Sequence, residues 1–222
     1  DSGGQDRAVS IETTADGGYL LGLEMDVLNT ADATMIKTNA VGVELWRVSG
    51  PENAHPAKAI QTADGGCILA WWQLVPGAKA GSSSGTIGLL KTDAAGLETW
   101  RVALNDDEAI ALNDMRETDD GGLILVGQID FLGNDSQLFL WKTDAAGVSE
   151  WRTTYGDQGR NTAYAVYETS DGDFVAAGES QPSGEQTQAM LLRTDDAGIM
   201  RWLHHYGGED RDLLVWREQF PG

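Results

Sequence analysis

The residue types that could support catalysis are few in this chain and lie far apart. Gly81-Ser82-Ser83-Ser84-Gly85 matches the G-x-S-x-G pattern of a nucleophilic serine. That pattern functions on a sharp turn between a strand and a helix, whereas here it lies in a Gly/Ser-rich loop with no helical pattern after it. His55 stands alone, and His204 and His205, as neighbours on a predicted strand, point to opposite faces. No serine–histidine–acid set is indicated, so we expect no enzymatic activity.

Metal and thiol chemistry have equally little support. Cys67 is the only cysteine among the 222 residues and begins an apolar run, so it reads as a small buried hydrophobic residue rather than a reactive thiol. Oxygen-rich acidic loops suit calcium, but the regular spacing of a dedicated calcium loop is missing. We therefore predict no cofactor and interpret the acidic clusters as solvated surface, with calcium binding as the alternative. These clusters are Asp106-Asp107-Glu108, Asp119-Asp120, Asp195-Asp196 and Glu209-Asp210.

Charge and composition exclude further classes. The chain has 35 acidic and 15 basic residues, a net charge of −20, which opposes binding to nucleic acid. Such a composition fits either a protein from a salt-loving organism or a soluble secreted protein. Hydrophobic residues make up 41%, as in globular proteins, and no apolar run approaches the roughly 18 residues of a membrane span. Without an initiator Met or a signal peptide, we expect the chain to be processed or excised from something longer.

Two non-repeated features are candidates for contact with a ligand or a modification. Trp71 and Trp72 are neighbours on a predicted strand, so one can enter the core while Trp72 reaches a surface and stacks on a sugar or anchors a partner. Burial of both is the alternative interpretation. Asn134-Asp135-Ser136 fits the N-glycosylation pattern in a predicted exposed loop.

The elements that position these residues come from an internal repeat. One sequence motif occurs four times: a basic residue is followed by a glycine five positions after it and by a tryptophan nine positions after it. A repeat of this kind indicates the architecture of the whole chain. The basic residue, glycine and tryptophan are Lys37/Gly42/Trp46, Lys91/Gly96/Trp100, Lys142/Gly147/Trp151 and Arg193/Gly198/Trp202.

A second phrase alternates with the first and contains Asp-Gly before a β-rich run. Asp-Gly between two such runs is a strong hairpin signal, because glycine adopts positive φ without a steric penalty. The glycines of this second turn are Gly17, Gly65, Gly121 and Gly172, spaced 48, 56 and 51 residues apart. Each module is thus predicted to hold four strands, and those of the second module are predicted at Ala57–Ala63, Cys67–Leu74, Thr86–Thr92 and Leu97–Leu104.

Repeated four-stranded units of this length, with no helical segment, predict an all-β fold: a β-propeller of four-stranded antiparallel blades. Consecutive apolar pairs such as Leu89-Leu90 place bulk on both faces of a strand, as a sheet between two neighbours requires. The repeated tryptophan is then expected to fill the space between blades. We expect a single propeller domain or propeller fragment, with modules at about 1–50, 51–104, 105–155 and 156–205 and a partial fifth module at 206–222.

The phrase Leu89-Leu90-Lys91-Thr92-Asp93-Ala94-Ala95-Gly96-Leu97-Glu98-Thr99-Trp100 resembles the tryptophan-docking motif of quinoprotein-like propellers. The resemblance covers nearly the whole chain, and the fuller module resembles uncharacterised secreted repeat proteins of bacteria and archaea. It implies the fold and a structural role for the four tryptophans in docking one blade on the next. The cofactor-stacking tryptophan and metal-binding acid of the quinoprotein enzymes have no counterpart that we can place, so the resemblance implies no activity here.

The start of a fifth module follows the fourth. Tyr206-Gly207-Gly208-Glu209-Asp210-Arg211 repeats the opening Ser2-Gly3-Gly4-Gln5-Asp6-Arg7, and Leu213-Leu214-Val215-Trp216 is its predicted first strand. Four modules already supply four blades, so this strand is expected to pair with the edge of a neighbouring copy or to begin further blades.

These observations predict a non-catalytic, extracellular or cell-surface interaction and assembly scaffold, whose partner is another protein or a second copy. Its variable loops are expected at Met25–Thr34, Gln73–Gly85, Gln128–Gln137 and Glu179–Gln188. Trp72 and Trp216 are the expected contact residues. The alternatives are a carbohydrate-binding propeller, a fragment of a larger propeller enzyme and, less favoured, a redox enzyme.

Overall fold

A computed structural model of the chain describes residues 6–27, 30–76, 83–129, 135–156, 158–182 and 184–207. Within these ranges the chain forms sixteen β-strands and no helix. The strands build four separate four-stranded antiparallel sheets, one for each sequence module. The predicted all-β, blade-like repeat architecture is therefore confirmed.

Each sheet is a meander in which strands adjacent in sequence are adjacent in space. Sheet 1 contains β1 (Arg7–Thr13), β2 (Tyr19–Val27), β3 (Thr30–Thr38) and β4 (Glu44–Glu52). Sheet 2 contains β5 (His55–Gln61), β6 (Cys67–Pro76), β7 (Ser83–Thr92) and β8 (Glu98–Asp106). Sheet 3 contains β9 (Ile110–Glu117), β10 (Leu123–Ile129), β11 (Gln137–Thr143) and β12 (Ser149–Tyr155). Sheet 4 contains β13 (Gly159–Glu168), β14 (Phe174–Pro182), β15 (Gln188–Thr194) and β16 (Met200–Tyr206).

The turn between the first and second strands is the same in every sheet. In sheet 2 the Gly65 amide donates to the Thr62 carbonyl at 2.9 Å, and the Thr62 amide donates to the Gly66 carbonyl at 2.9 Å. One carboxylate oxygen of Asp64 accepts from the Gly66 amide and from the Thr62 hydroxyl. Gly65 has φ of +83°, a conformation that side chains with a Cβ rarely adopt. The Asp-Gly pair therefore specifies this turn.

The turn between the third and fourth strands is stabilised by a different set of hydrogen bonds. Asp93 accepts from the amides of Ala95 and Leu97, both at 2.9 Å, and Gly96 adopts φ of +82°. Asn39 makes the same two contacts in sheet 1, because an amide oxygen can replace the carboxylate oxygen as acceptor. This explains why Asn is tolerated at that position of the repeat.

Three apolar clusters lie between neighbouring sheets and hold them together. Leu90 packs in the cluster between sheets 1 and 2, whereas its neighbour Leu89 packs in the cluster between sheets 2 and 3. Trp141 and Leu140 divide in the same way between the second and third clusters. Full burial of each such side chain contributes about 1.5–3 kcal/mol. Within the described ranges, the strand pairs with substantial packing join sheets 1 to 2, 2 to 3 and 3 to 4, and none joins 4 to 1.

The predicted loops of the chain are partly strand; Glu179–Gln188, for example, belongs to β14 as far as Pro182. Sheet 2 strands run further than predicted, since β6 reaches Pro76 and β7 begins at Ser83, so Ser83–Gly85 is paired rather than looped. The Met25–Thr34 segment likewise belongs mostly to β2 and β3. Cross-strand pairs such as Val75 with Ser84 continue the ladder, because pairing satisfies backbone groups whatever the propensity of the side chains.

Candidate functional site

The repeated tryptophan of sheets 1, 2 and 3 lies on the turn glycine of the following sheet. A methyl group placed on Gly96 would lie 2.6 Å from Cδ2 of Trp46, which means that the indole occupies the space above the glycine. The same relation joins Gly147 to Trp100, and Gly198 to Trp151. At Gly96 and Gly198 an added Cβ would overlap the indole ring. At Gly147 it would lie 2.8 Å from Val102 Cγ2 and 3.2 Å from the Trp100 ring, so glycine is the residue that leaves room at all three positions.

The third of these contacts carries a hydrogen bond as well. The Trp151 indole nitrogen donates to the carbonyl of Asp196 at 3.0 Å, in the turn that contains Gly198. Tyr155 on the same strand donates its hydroxyl to the carbonyl of Gly198. The fourth strand of sheet 3 thus contacts the turn of sheet 4 through the indole ring and through hydrogen bonds. The role of these tryptophans is therefore to hold neighbouring sheets together.

The repeated basic residue and the turn aspartate form an ion pair within each sheet. Lys91 Nζ lies 2.6 Å from an Asp64 carboxylate oxygen, and Lys37 Nζ lies 2.8 Å from Asp16. The Lys91 ammonium and the Thr62 hydroxyl lower the pKa of Asp64 to about 2. These ion pairs connect the third strand to the turn between the first and second strands. The charge of each lysine is therefore neutralised by a carboxylate of its own sheet.

The departures from the repeat in sheet 4 are coupled. Arg193 replaces lysine, and Asp173 replaces the second glycine of the turn. The Arg193 guanidinium binds two carboxylates, Asp173 through Nε at 2.7 Å and Asp171 through Nη2 at 2.6 Å. A forked guanidinium can satisfy both acids, which a lysine ammonium does less well.

A second intersheet contact recurs that the sequence analysis missed. The amide of the residue after the turn threonine donates to an acceptor at the end of the next sheet's first strand. Ala15 donates to Gln61 Oε1, Ala63 to Glu117 Oε2, and Asp119 to Glu168 Oε2, each at 2.7 Å. The signal was present as Gln or Glu directly before the turn threonine in the last three modules.

Each sheet has two faces that we name by direction: the N-side face packs on the preceding sheet and the C-side face on the following one. The N-side face of sheet 1, called the N-end face, is uncovered among the described residues. Ile11 is 67% exposed, whereas its equivalents Ala59, Met115 and Val166 are 0%, 0% and 3% exposed. Gly42 likewise has no atom near the position of an added Cβ, unlike its three equivalents. The N-end face also includes Tyr19, Leu21 and Ile36, which are half-buried.

The C-side face of sheet 4, called the C-end face, is likewise not covered by any residue that the structure describes. Ala176 packs in the cluster with sheet 3, so its neighbour Ala177 points to the other side and is exposed. Tyr206 is 45% exposed, whereas its equivalent Tyr155 is 8% exposed.

Trp202 and His204 continue the C-end face along β16, with ring centres 4.8 Å apart, and His204 also contacts the Tyr206 ring. With the exposed Tyr167 of β13, the C-end face is rich in aromatic side chains.

The candidate catalytic residues are not brought together. Cys67 is buried in the cluster between sheets 1 and 2, and burial raises the pKa of its thiol to about 11. Ser83 lies in strand β7, with no helix near it in the described ranges. The sheet-4 histidines divide, His204 facing the C-end and His205 lying on the opposite side of the strand. In the part of the chain that the structure describes, no three side chains of the metal-ligating types converge, and no helix could cross a membrane.

Trp72 is half-buried and stacks with a histidine that lies near a carboxylate. Trp71 is buried between sheets 1 and 2, while Trp72 packs on the cluster between sheets 2 and 3. The His55 ring stacks on Trp72 with centres 4.5 Å apart, and His55 Nδ1 lies 3.9 Å from Glu24. The two tryptophans thus take opposite faces of β6, and one edge of Trp72 reaches the rim of the sheet.

Several predicted residues lie outside the described ranges. These are the glycosylation candidate Asn134, the contact candidate Trp216 and the fifth-module strand Leu213–Trp216. Gly81 and Ser82 of the serine pattern also lie there.

Comparisons with known proteins identify no family for the chain. No family model matches the chain, and no curated protein matches it. Among solved structures, the chain is similar to a protein of unknown function from Bacteroides caccae, with 13% sequence identity and a TM-score of 0.42. The match covers 90% of this chain and 82% of that chain. At this level of similarity the match says nothing about activity or ligands.

Proposed function

We propose that the four sheets are blades of a β-propeller of the tryptophan-docking type, and that the protein is a non-catalytic interaction scaffold. The repeated stacking of a tryptophan on the next sheet's glycine supports the propeller, since successive four-stranded meanders packed face to face are the construction of that fold. We further propose an extracellular or cell-surface location, which suits the acidic, soluble composition.

The observation that carries the scaffold role is the exposure of both end faces. Positions that are buried wherever two sheets meet are left uncovered by the described part of the chain on sheets 1 and 4, with Ile11 and Ala177 as the clearest cases. A contiguous exposed apolar surface marks a site of protein association. The scaffold therefore offers two surfaces already shaped to receive a β-sheet face.

A polypeptide partner can be tested by site-specific photo-crosslinking. A benzophenone amino acid is introduced at Ala177 on the C-end face, and a matched one at Ala94 on an exposed turn of sheet 2. The proposal predicts a polypeptide adduct from position 177 and none from position 94 in an extract of the source cells with its medium, whether the adduct is with another protein or with a second copy. Equal labelling at both positions, or no adduct at either, would overturn the proposal.

Carbohydrate binding is the second candidate, because the Trp72 ring stacks with His55, and His55 Nδ1 lies 3.9 Å from the Glu24 carboxylate. An aromatic platform with an adjacent carboxylate is a common way to hold a sugar ring. A glycan array with the wild-type chain and the Trp72→Ala variant separates the two functions. The scaffold proposal predicts no saturable glycan binding, and saturable binding that the Trp72→Ala variant loses would replace it with the lectin role.

A further inference from the structure

We propose that the partner of the C-end face is the N-end face of a second copy of this chain. Trp202 of one copy would stack on the Gly42 turn of the next. The inference rests on the scaffold function proposed above and adds the identity of the partner. The association is head-to-tail, so each copy uses two different surfaces.

One tryptophan and one turn glycine of the repeat lack the partner that their equivalents contact within the described residues. Within the chain, Trp46, Trp100 and Trp151 each cover the turn glycine of the following sheet. Two members of the series are left over among the described residues: Trp202 has no following turn, and Gly42 has no preceding tryptophan. Gly42 has φ of +79° and lies in the same Asn/Asp-locked turn as its equivalents. Its surface therefore already has the shape that receives an indole.

The N-end face is apolar, like the faces on which C-side faces pack inside the chain. The N-side faces of sheets 2, 3 and 4 all pack on a C-side face through the same strand positions. Sheet 1 presents apolar residues at those positions, namely Ile11, Tyr19, Leu21 and Ile36. A second copy therefore offers the C-end face the same kind of surface that this chain packs on three times internally.

The polar contact that recurs between neighbouring sheets would have a weaker counterpart between two copies. The amide of Ser170 is the equivalent of the donors at Ala15, Ala63 and Asp119. Its acceptor in a second copy would be Thr13, which stands where the internal contacts have Gln or Glu. Threonine is shorter, so this contact is weaker between copies than within a chain. Association is thus reversible, and a longer acceptor at position 13 should strengthen it.

Charge sets the conditions under which the copies meet. Each copy carries −20, so two copies repel over distances that dissolved salt shortens to about 8–10 Å at 0.1–0.15 M. The contact surfaces named above are apolar or aromatic, so salt removes the repulsion without weakening the contact. We therefore expect association to strengthen as salt concentration rises, the reverse of an interface built from ion pairs.

The experiment is sedimentation velocity with light scattering on the purified full chain, from micromolar to millimolar protein and from 0.1 to 3 M NaCl. Wild type is expected to form dimers or larger species, increasingly so at high salt. A chain that stays monomeric under every condition overturns the inference, while the cross-linking test above decides the scaffold function separately.

Variants locate the interface and its direction. Ile11→Glu changes the N-end face, Ala177→Glu changes the C-end face, and Leu97→Glu is a control on an exposed turn of sheet 2. Each end-face variant buries an unpaired charge on association and is expected to weaken it at least about tenfold. The control is expected to associate like wild type. Circular dichroism spectra and urea midpoints like those of wild type show that each variant is folded.

Mixing the two end-face variants gives the sharpest result. Ile11→Glu keeps its C-end face and Ala177→Glu keeps its N-end face, so an equimolar mixture has one intact interface and should form a dimer that grows no further. In the same way, Thr13→Gln is expected to tighten association about fivefold by supplying the longer acceptor, equivalent to about 1 kcal/mol. No recovery in the mixture overturns the head-to-tail geometry. Association that survives both end-face changes but is lost in Trp216→Asp overturns the inference in favour of the fifth-module strand.

Discussion

The contact between Trp46 and Gly96 can be measured as a difference between two glycine substitutions in the same sheet. Gly96→Ala and Gly65→Ala place the same methyl group on backbones with nearly equal φ, +82° and +83°. At Gly65 the new Cβ meets nothing within 4 Å, whereas at Gly96 it lies 2.6 and 2.8 Å from two atoms of the Trp46 indole. The pair therefore separates backbone strain from displacement of the tryptophan.

The expected magnitudes follow from those two terms. Placing alanine in the left-handed region costs about 1–2 kcal/mol, and both variants lose this much. Forcing an extra methyl group into a filled space costs about 1–3 kcal/mol more, which applies only to Gly96→Ala. We thus expect Gly96→Ala to lower the free energy of unfolding by about 1–3 kcal/mol more than Gly65→Ala.

The assay is urea unfolding at micromolar concentration in low salt, followed by circular dichroism and tryptophan fluorescence. Coincident transitions from the two probes justify a single free energy, which repeat proteins do not always allow. In a double-mutant cycle with Trp46→Ala, the excess cost of Gly96→Ala should disappear, because the ring that it displaces is gone. Equal destabilisation by the two glycine variants would show that the indole is not seated on Gly96 and would refute the docking argument.

Three further predictions concern single residues. Cys67 should react with a thiol reagent far more slowly in the native protein than in urea, because its thiol is buried and its pKa is about 11; equal rates would contradict its burial. Lys58→Met should destabilise the chain by about 2–4 kcal/mol in urea unfolding, because it leaves the buried Asp114, 3.0 Å from Lys58 Nζ, without its main counter-charge. The folded pKa of Asp64 is depressed to about 2, so its pairing with Lys91 stabilises the protein above the unfolded pKa of about 4 and is lost as pH falls toward 2. Lys91→Met should remove that part of the acid sensitivity, at a cost of no more than about 1 kcal/mol at pH 7 because Asp64 is exposed; unchanged acid sensitivity would contradict the assignment.

Most of the fold could be predicted because local signals agree with one another. Asp-Gly turns, apolar runs and the fixed spacing of the tryptophan phrase each define a strand boundary from nearby residues alone. The boundary that the sequence misplaced, at Ser83–Gly85, is one where local propensity favours a loop. There the backbone ladder with β6 decides the structure, and pairing with residues 7 to 11 positions away is not visible in a propensity.

The candidate site could be predicted only in part, for a different reason. Trp46 and Trp202 occupy equivalent positions in the repeat, and no property of either residue says which one is covered by a following sheet. Coverage depends on how many sheets follow in space. The exposure of Ile11 and the acceptor role of Glu117 are likewise relations between modules, so they appear only when the modules are placed side by side.

The consecutive strand order has a consequence for how the protein forms during synthesis. Each sheet is complete when its own four strands have emerged; β4, for example, ends at Glu52 and pairs with no later strand among the described residues. Low sequence separation between paired strands favours rapid folding, so sheet 1 can form while the ribosome is still making sheet 3. Each new sheet then finds the preceding one already in place and packs against it.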